Sequence, residues 1–218
     1  MGNPPVYYPV CLNTQARRCI VVGGGSVAAR KVVALVEAGA QVVVISPDVC
    51  EELSKREDVT VLRRPWQEAD LDDAFLAIAA TDNRSLNERI ARAARKRRVL
   101  CNVVDDGSLS DFIMPATMRR GSLLISVTTS GALPALAHTI RARLETTFGQ
   151  EYAEYLEILR QMRQDIIASV PDENARREIF CRFADPEFLA LLRDKGEESV
   201  RKQLENVVRE VARKYGGS

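Results

Sequence analysis

The 218-residue sequence predicts an α/β fold in which a parallel sheet comes first and helices make up the end of the chain. Up to residue 105, apolar runs rich in β-branched residues alternate with helical patterns, which is typical of parallel strands joined by crossover helices. After residue 133 nearly every segment has helical periodicity, with breaks expected around Pro171, Pro186 and Gly196. Between these parts, two apolar stretches at 112–116 and 123–128 predict a hairpin that turns through 119–122.

Three consecutive glycines follow the apolar run 19–22 and lead directly into a helical pattern. Gly23, Gly25 and Ala28 fit the G-x-G-x-x-G/A spacing of a dinucleotide-binding turn. The first glycine permits the sharp turn, the second lets a pyrophosphate approach the backbone, and the helix N-terminus offers free N–H groups. The sequence therefore predicts a Rossmann-type sheet that binds NAD or NADP. A glycine turn that only packs tightly is the alternative.

The other elements of this sheet follow in chain order. Strands are predicted at 7–12, 41–45, 60–63, 75–81 and 99–104, the first of them an edge strand folded back beside the glycine-turn strand. Helices are predicted at 27–38, stopped by Gly39, at 49–57, and from a cap at Asp82 or Asn83 to about Arg98.

The carboxyl ends of these strands are the predicted binding edge, because ligands of open parallel sheets bind there. The segments 23–28, 46–48, 81–82 and 102–105 all fall on this edge. An acidic residue often ends the second strand of an NAD site, whereas here Ser46 and Pro47 stand there and Asp48 comes just beyond. Since no arginine follows at once to hold a 2′-phosphate, NAD is preferred over NADP.

Composition excludes several classes of function. A net charge of +1 argues against a dedicated nucleic-acid binder, and no apolar run is long enough for a membrane span. Residues 1–8 have no secretory pattern, and five scattered cysteines without a C-x-x-C pair favour the reducing cytoplasm. Cys19 and Cys101 are expected in the core. The single histidine, His138, excludes a multi-histidine metal site within one chain and is expected to pack or to hydrogen-bond.

Several motifs together resemble those of the precorrin-2 dehydrogenases, the family of the siroheme synthase N-terminal part. They are 22–31, 76–82, 101–105, 112–116 and 129–131, in the family's order and spacing. The resemblance implies NAD-dependent oxidation of precorrin-2 to sirohydrochlorin in siroheme biosynthesis, with insertion of ferrous iron as a possible second activity. It also implies a homodimer. The corresponding division is 1–113 for the NAD-binding domain, 114–149 for a dimerisation segment and 150–218 for a helical domain.

The resemblance also implies site residues. Ser26, Val27, Pro47 and Asp48 would contact the dinucleotide, and Asp105 matches the family's catalytic aspartate in an Asn-Val-Val-Asp motif. With the glycines and the strand ends, the expected cofactor-binding set is Gly23, Gly25, Ser26, Val27, Pro47, Asp48, Thr81, Asn102 and Val103. No resident metal is expected. A carboxylate beside the nicotinamide can take the proton that must leave with the hydride. Asp106 is the competing candidate, and both aspartates could simply cap a loop.

The substrate implied by the resemblance is a polycarboxylate, so arginines should line its site. Candidates are Arg119, Arg120, Arg141 and Arg143. Three other interpretations stay open at this point. One is a module that senses NAD without catalysis, one is a chelatase whose Rossmann domain is vestigial, and one is an ordinary small-molecule dehydrogenase. The last would usually supply a Tyr-Lys or His-carboxylate pair, and neither is evident.

Overall fold

The computed structural model describes residues 6–216, which separate into two units, one ending at Met114 and the other beginning at Pro115. In the first unit five strands form one sheet in the order β3-β2-β1-β4-β5, and every neighbouring pair is parallel. The strands are β1 (Arg18–Val22), β2 (Gln41–Ile45), β3 (Thr60–Leu62), β4 (Leu76–Ala79) and β5 (Leu100–Val103). The order reverses between β1 and β4, so a topological switch point lies beside the central strand.

Both faces of this sheet are covered, which explains the continuous apolar strands. The helices are α1 (Ser26–Glu37), α2 (Glu51–Ser54) and α3 (Arg84–Arg97). Cys19 and Val21 of β1 pack with the α1 side, whereas Ile20 and Val22 pack with α3, because successive strand residues point to opposite faces. Cys19 and Cys101 are fully buried, as expected from the sequence.

The strands predicted at 19–22 and 41–45 are confirmed, and those predicted at 60–63, 75–81 and 99–104 are confirmed with shorter bounds. One predicted helix is largely wrong. The helix predicted at 49–57 is a single turn, α2, because the residues before it wrap around the glycine turn and the Cys50 backbone N–H donates to the Gly24 carbonyl. Gly39 has φ +77°, which fits its predicted place after α1. Asn83 is the cap of α3, since its side chain accepts from the Leu86 backbone N–H.

The strand predicted at 7–12 is wrong. Residues 6–12 form no ladder, and Val6, Tyr8, Val10 and Leu12 are exposed. The hairpin is impossible because β1 already has a neighbour on each side, β2 and β4, and so offers no free edge. The chain instead enters β1 through a turn in which the Thr14 hydroxyl donates to the Ala38 carbonyl.

The second unit begins with an antiparallel hairpin of β6 (Ala116–Arg120) and β7 (Leu123–Val127), in which Met118 lies opposite Ile125. The strand predicted at 112–116 is wrong, and β6 runs through residues that were expected to turn. Phe112 and Met114 instead pack against the core of the first unit. The turn falls at Gly121, whose φ of +53° suits a glycine.

Helices complete this unit: α4 (Pro134–Thr147), α5 (Glu151–Ser169), α6 (Glu173–Arg182) and α7 (Pro186–Tyr215). The predicted breaks at Pro171 and Pro186 are confirmed, and Gly196 interrupts α7 with φ 76° and ψ 179°. Ile158, Ile179 and Leu204 are at the centre of the core that α5, α6 and α7 share. The separate assignment of 114–149 to dimerisation stays a prediction. Among the helices of residues 6–216, none has the length and apolar character needed to cross a membrane.

Candidate active site

A cleft of about 640 Å³ opens at the carboxyl ends of the strands, at the switch point between β1 and β4. Three loops form it: the glycine turn at 23–27, the segment 46–48 after β2, and residues 80–83 after β4. Leu86, Val104 and Asp105 complete the lining. The convergence of strand ends expected from the sequence is thus present as one cavity within the first unit.

Glycine is favoured at each of the three positions of the turn for a different structural reason. Gly23 has φ +129°, and a Cβ there would overlap the carbonyl oxygen of Ala80. A Cβ on Gly24 would overlap the carbonyl oxygen of Asp48. A Cβ on Gly25 would meet no atom within 4 Å, so the space beside this residue is open. That open space next to bare backbone fits a pyrophosphate, which approaches the second glycine of this motif.

The first turn of α1 is arranged to receive an anion. The helix begins at Ser26. Its N-cap residue, Gly25, has no side chain that could accept a hydrogen bond from the first N–H groups, and the first turn contains no acidic residue. The first N–H groups of a helix have no acceptor within the helix, and they carry the positive end of its dipole. A bound phosphate would satisfy these groups, as it does at other helix N-termini. The residues present therefore fit a dinucleotide.

The segment after β2 forms the end of the cleft at which the adenosine ribose is expected. Ser46 is half-buried, Pro47 and Asp48 are exposed, and all three line the cleft. Among residues 6–216, no hydrogen bond or ion pair engages the Asp48 carboxylate. The carboxylate is therefore free to accept ribose hydroxyl groups, although it comes later in the chain than the usual acidic residue.

Asn102 and Val103 are not among the residues that line the cleft, and their expected contact with the cofactor stays a prediction. Both side chains are buried in β5. The Asn102 amide donates to the Phe112 carbonyl at 2.9 Å, and the Val103 backbone N–H donates to the Ser110 hydroxyl at 2.9 Å. These residues attach the segment 110–112 to the strand. They do not reach the cleft, because side chains become accessible there only after β5 has ended.

The two neighbouring aspartates have different environments. Asp105 is exposed, lines the cleft and has φ +62°. Asp106 does not line it, and its carboxylate accepts from the Ser108 hydroxyl at 2.6 Å and from the Ser108 backbone N–H at 3.1 Å. The Ser108 hydroxyl lowers the pKa of Asp106, which stays ionised as the cap of this turn. Of these two neighbouring aspartates, Asp105 is therefore the one whose carboxylate is available in the cleft.

Lys31 is a charged neighbour to which the sequence reasoning gave no role. It is half-buried on α1, one turn after Val27 of the cleft lining. Burial lowers the pKa of Lys31, the Arg30 charge adds to that, and the Asp105 carboxylate opposes both. The ammonium and the Asp105 carboxylate are thus close enough to interact electrostatically.

The candidate arginines belong to the second unit and are not equivalent. The Arg120 guanidinium donates to the carbonyl oxygens of Phe148 and Glu145, and Arg141 pairs with the Glu145 carboxylate at 2.5 Å. These two hold the end of α4. Arg119 and Arg143 are exposed and form no ion pair among the described residues. His138 is also exposed and makes no hydrogen bond there, so its expected packing or hydrogen-bonding role is wrong.

Four further residues of the cleft lining lie in segments that the sequence placed at the binding edge, although none of them was expected to contact the cofactor: Gly24, Ser46, Asp82 and Val104. Gly24 carried an additional signal, because a third glycine between two motif glycines indicates a close backbone contact. Asn83 and Leu86 were not expected in the cleft. Leu86 carried no signal for it, since apolar residues near the start of a helix usually pack in the core.

Comparisons with known proteins agree with the cleft. Residues 10–116 match a family described as "Putative NAD(P)-binding". Siroheme synthase of Nitrosococcus oceani is 39% identical over 174 residues, which are 78% of this chain and 37% of that protein. Siroheme synthase of Thioalkalivibrio sulfidiphilus is 34% identical over 205 residues, 93% of this chain and 42% of that protein. The chain thus spans about two fifths of the length of these relatives.

A solved structure of similar fold is that of "SirC, precorrin-2 dehydrogenase", with a TM-score of 0.76 and 26% sequence identity. The match covers 92% of this chain and 100% of that one. Together with the glycine turn and the open helix N-terminus, these similarities assign NAD as the cofactor of the first unit. The chain belongs to the precorrin-2 dehydrogenase family.

Proposed function

We propose that the protein oxidises precorrin-2 to sirohydrochlorin, with NAD+ taking the hydride, in the synthesis of siroheme. The observation that carries this proposal is the free Asp105 carboxylate in the same cleft as the glycine turn. The relatives named for siroheme synthesis and the fold neighbour named as a precorrin-2 dehydrogenase support the choice of substrate.

The residues that would hold the cofactor lie at two ends of the cleft, one for the pyrophosphate and one for the ribose. Backbone N–H groups of the first turn of α1, beginning at Ser26, would bind the pyrophosphate beside Gly25. Asp48 would accept the ribose hydroxyls. NAD supplies a hydride acceptor when it is bound.

Asp105 would act as the base. The reaction is precorrin-2 plus NAD+ giving sirohydrochlorin, NADH and a proton, so a proton must leave the substrate for each hydride transferred. The exposed Asp105 carboxylate can accept that proton and release it to solvent. The Lys31 ammonium lies close enough to this carboxylate to interact with it electrostatically.

Anaerobic absorbance spectroscopy of precorrin-2 with NAD+ tests this function. We expect the wild type to produce the sirohydrochlorin spectrum and Asp105→Asn to lose at least about 100-fold in rate, the usual size of a general-base contribution. Asp106→Asn is the matched control, because asparagine keeps an oxygen that can accept from Ser108, and its rate should stay near that of the wild type. Binding of NAD+ without any oxidation of precorrin-2 would instead favour the alternative of a module that senses NAD.

Insertion of ferrous iron into sirohydrochlorin is a second candidate activity, with iron as a substrate. Within residues 6–216 no group of three or more His, Cys, Asp and Glu side chains could hold a metal ion. The tetrapyrrole nitrogens would therefore bind the iron, while Asp105 removes their protons. Adding ferrous iron to the same assay tests this, since a rate equal to the spontaneous insertion would exclude the activity.

A homodimer is the assembly that we propose for the second unit. Its hairpin is a two-stranded sheet, which is marginal by itself, and Leu124, Leu133 and Leu136 are exposed nearby in the chain. Sedimentation equilibrium tests the dimer, and a monomer at micromolar concentration would contradict it.

A tetrapyrrole polycarboxylate would find free guanidinium groups on Arg119 and Arg143. The five unpaired cysteines of the described residues are consistent with a cytoplasmic location.

A further inference from the structure

The corner that joins β4 to α3, residues 80–83, is one wall of the cleft and touches the glycine turn. A Cβ on Gly23 would overlap the Ala80 carbonyl oxygen and come within 3.3 Å of the Thr81 backbone nitrogen. The main chain of this corner therefore sets the width of the cleft next to the bare backbone of the turn. Any shift of the corner changes the space that a ligand can use.

Asn87 fixes this corner from below the surface. It lies on the first turns of α3, and its side chain is buried although it carries a polar amide. The amide nitrogen donates to the Thr81 carbonyl at 2.9 Å, and the amide oxygen accepts from the Thr81 hydroxyl at 2.6 Å. One buried side chain thus makes two hydrogen bonds to the main chain and side chain of the same cleft residue.

The bonds to Asn87 decide what Thr81 can offer to a ligand. A threonine hydroxyl has a single proton, and here that proton is directed to the Asn87 oxygen. The hydroxyl also accepts from the Asn83 backbone N–H at 3.2 Å. Thr81 therefore lines the cleft without a free hydroxyl proton, and its contribution is the position of its backbone. The expected cofactor contact of Thr81 is in this sense indirect.

We propose that Asn87 is a positioning residue for dinucleotide binding, holding Thr81 and the β4–α3 corner at the distance from the glycine turn that the cofactor requires. The proposal depends on the binding of NAD and is independent of precorrin-2 oxidation. Loss of the Asn87 amide would leave the Thr81 carbonyl without its buried donor, and the corner would move to find another partner.

Isothermal titration calorimetry of the full chain with NAD+ tests the proposal, together with the melting temperature of each variant. We expect Asn87→Ala to raise the dissociation constant for NAD+ by about tenfold, the equivalent of one buried hydrogen bond. Thr81→Val removes the hydroxyl but keeps the hydrogen bond from the Asn87 amide to the residue 81 carbonyl, so we expect its dissociation constant for NAD+ to rise only about threefold. Thr81→Ser keeps both bonds, so it should bind NAD+ more tightly than Thr81→Val.

Thr14→Val is the matched structural control in the same unit. Thr14 is also buried, and its hydroxyl donates to the Ala38 carbonyl at 2.9 Å, but it does not line the cleft. This variant should lower the melting temperature and leave the affinity for NAD+ unchanged.

Two results would overturn the proposal and leave the cofactor assignment in place. One is a lower melting temperature for Asn87→Ala with the wild-type dissociation constant for NAD+, which would make Asn87 a residue of stability alone. The other is a loss of affinity in Thr81→Ser equal to that in Thr81→Val. A wild type that does not bind NAD+ would overturn the proposal together with the cofactor assignment, whereas NAD+ binding without precorrin-2 oxidation would contradict the proposed function alone.

Discussion

The Cys50 backbone N–H donates a 2.7 Å hydrogen bond to the Gly24 carbonyl, and this bond joins the loop after β2 to the glycine turn. The contact ties the segment that carries Asp48 directly to the glycine turn, so two walls of the cleft are joined by a main-chain hydrogen bond. It also explains why a third glycine lies between the two motif glycines, since Gly24 has the Asp48 carbonyl against its α-carbon.

Alanine at Gly24 and at Gly25 should have different effects. Gly25→Ala places a methyl group in open space, so the melting temperature should stay near that of the wild type while NAD+ affinity falls at least about tenfold. Gly24→Ala should lower both, because the methyl group displaces the loop that carries Asp48. Calorimetry with NAD+ and thermal melts of both variants check this. Equal melting temperatures in the two variants would contradict the packing described for Gly24.

Asp48 should discriminate between the two nicotinamide dinucleotides. A carboxylate at the ribose end accepts from the 2′-hydroxyl of NAD+ and repels the 2′-phosphate of NADP+. We expect Asp48→Asn to bind NAD+ about tenfold more weakly and to bind NADP+ no worse than the wild type. Titration with each dinucleotide measures the ratio, and an unchanged ratio would remove Asp48 from the ribose site.

The backbone of Asp105 predicts a separation of stability from activity. Its φ of +62° is unfavourable for alanine and acceptable for glycine. Asp105→Ala should therefore be about 1 kcal/mol less stable in urea than Asp105→Gly, although both should lose the oxidation of precorrin-2. Urea unfolding curves of the two variants check this prediction. Equal stabilities would mean that the turn relaxes when the aspartate is removed.

Asp70 should contribute stability that depends on pH. Hydrogen bonds from the Arg64 guanidinium lower the pKa of this buried carboxylate, and the Gln67 backbone N–H adds to the effect. A lowered pKa in the folded state stabilises the fold above the unfolded value of about 3.9, and this contribution disappears as the pH falls through the folded value.

We therefore expect Asp70→Asn to cost about 2 kcal/mol at pH 7 and progressively less in increasingly acidic buffer. Urea midpoints of the wild type and the variant, measured from neutral pH down to about pH 3, test the trend. A difference that stays constant over that range would show that the ionised pair adds nothing beyond the packing of the side chain.

Prediction from sequence succeeded where local chemistry and fold agree. The glycine turn, the strand ends and Asp105 could be located because parallel sheets bind ligands at one edge, which the order of elements already defines. Asn87 could not be found, because an asparagine inside a basic helix has the pattern of an exposed face. Its burial depends on the Thr81 carbonyl, which comes next to it only after β4 and α3 pack together.

The wrong strands have a similar cause. Apolar residues alternate at Val6, Tyr8, Val10 and Leu12, which locally favours a strand, yet no sheet edge is available beside β1. Phe112 and Met114 likewise have the composition of a strand, but they serve as packing for the first unit. Periodicity records which side chains are apolar, whereas strand pairing depends on which edges other segments have left free.

The central place of β1 also has a consequence for the order of events during synthesis. The strand that leads into the glycine turn is paired on one side by β2, but its other side waits for β4, much later in the chain. A nascent chain that has left the ribosome only as far as β3 still exposes one unpaired edge of β1, with free backbone N–H and C=O groups. The cleft would then be complete only after β4 has paired with β1. NAD would therefore bind to and stabilise a sheet that has already formed, and it would not serve as a template for its assembly.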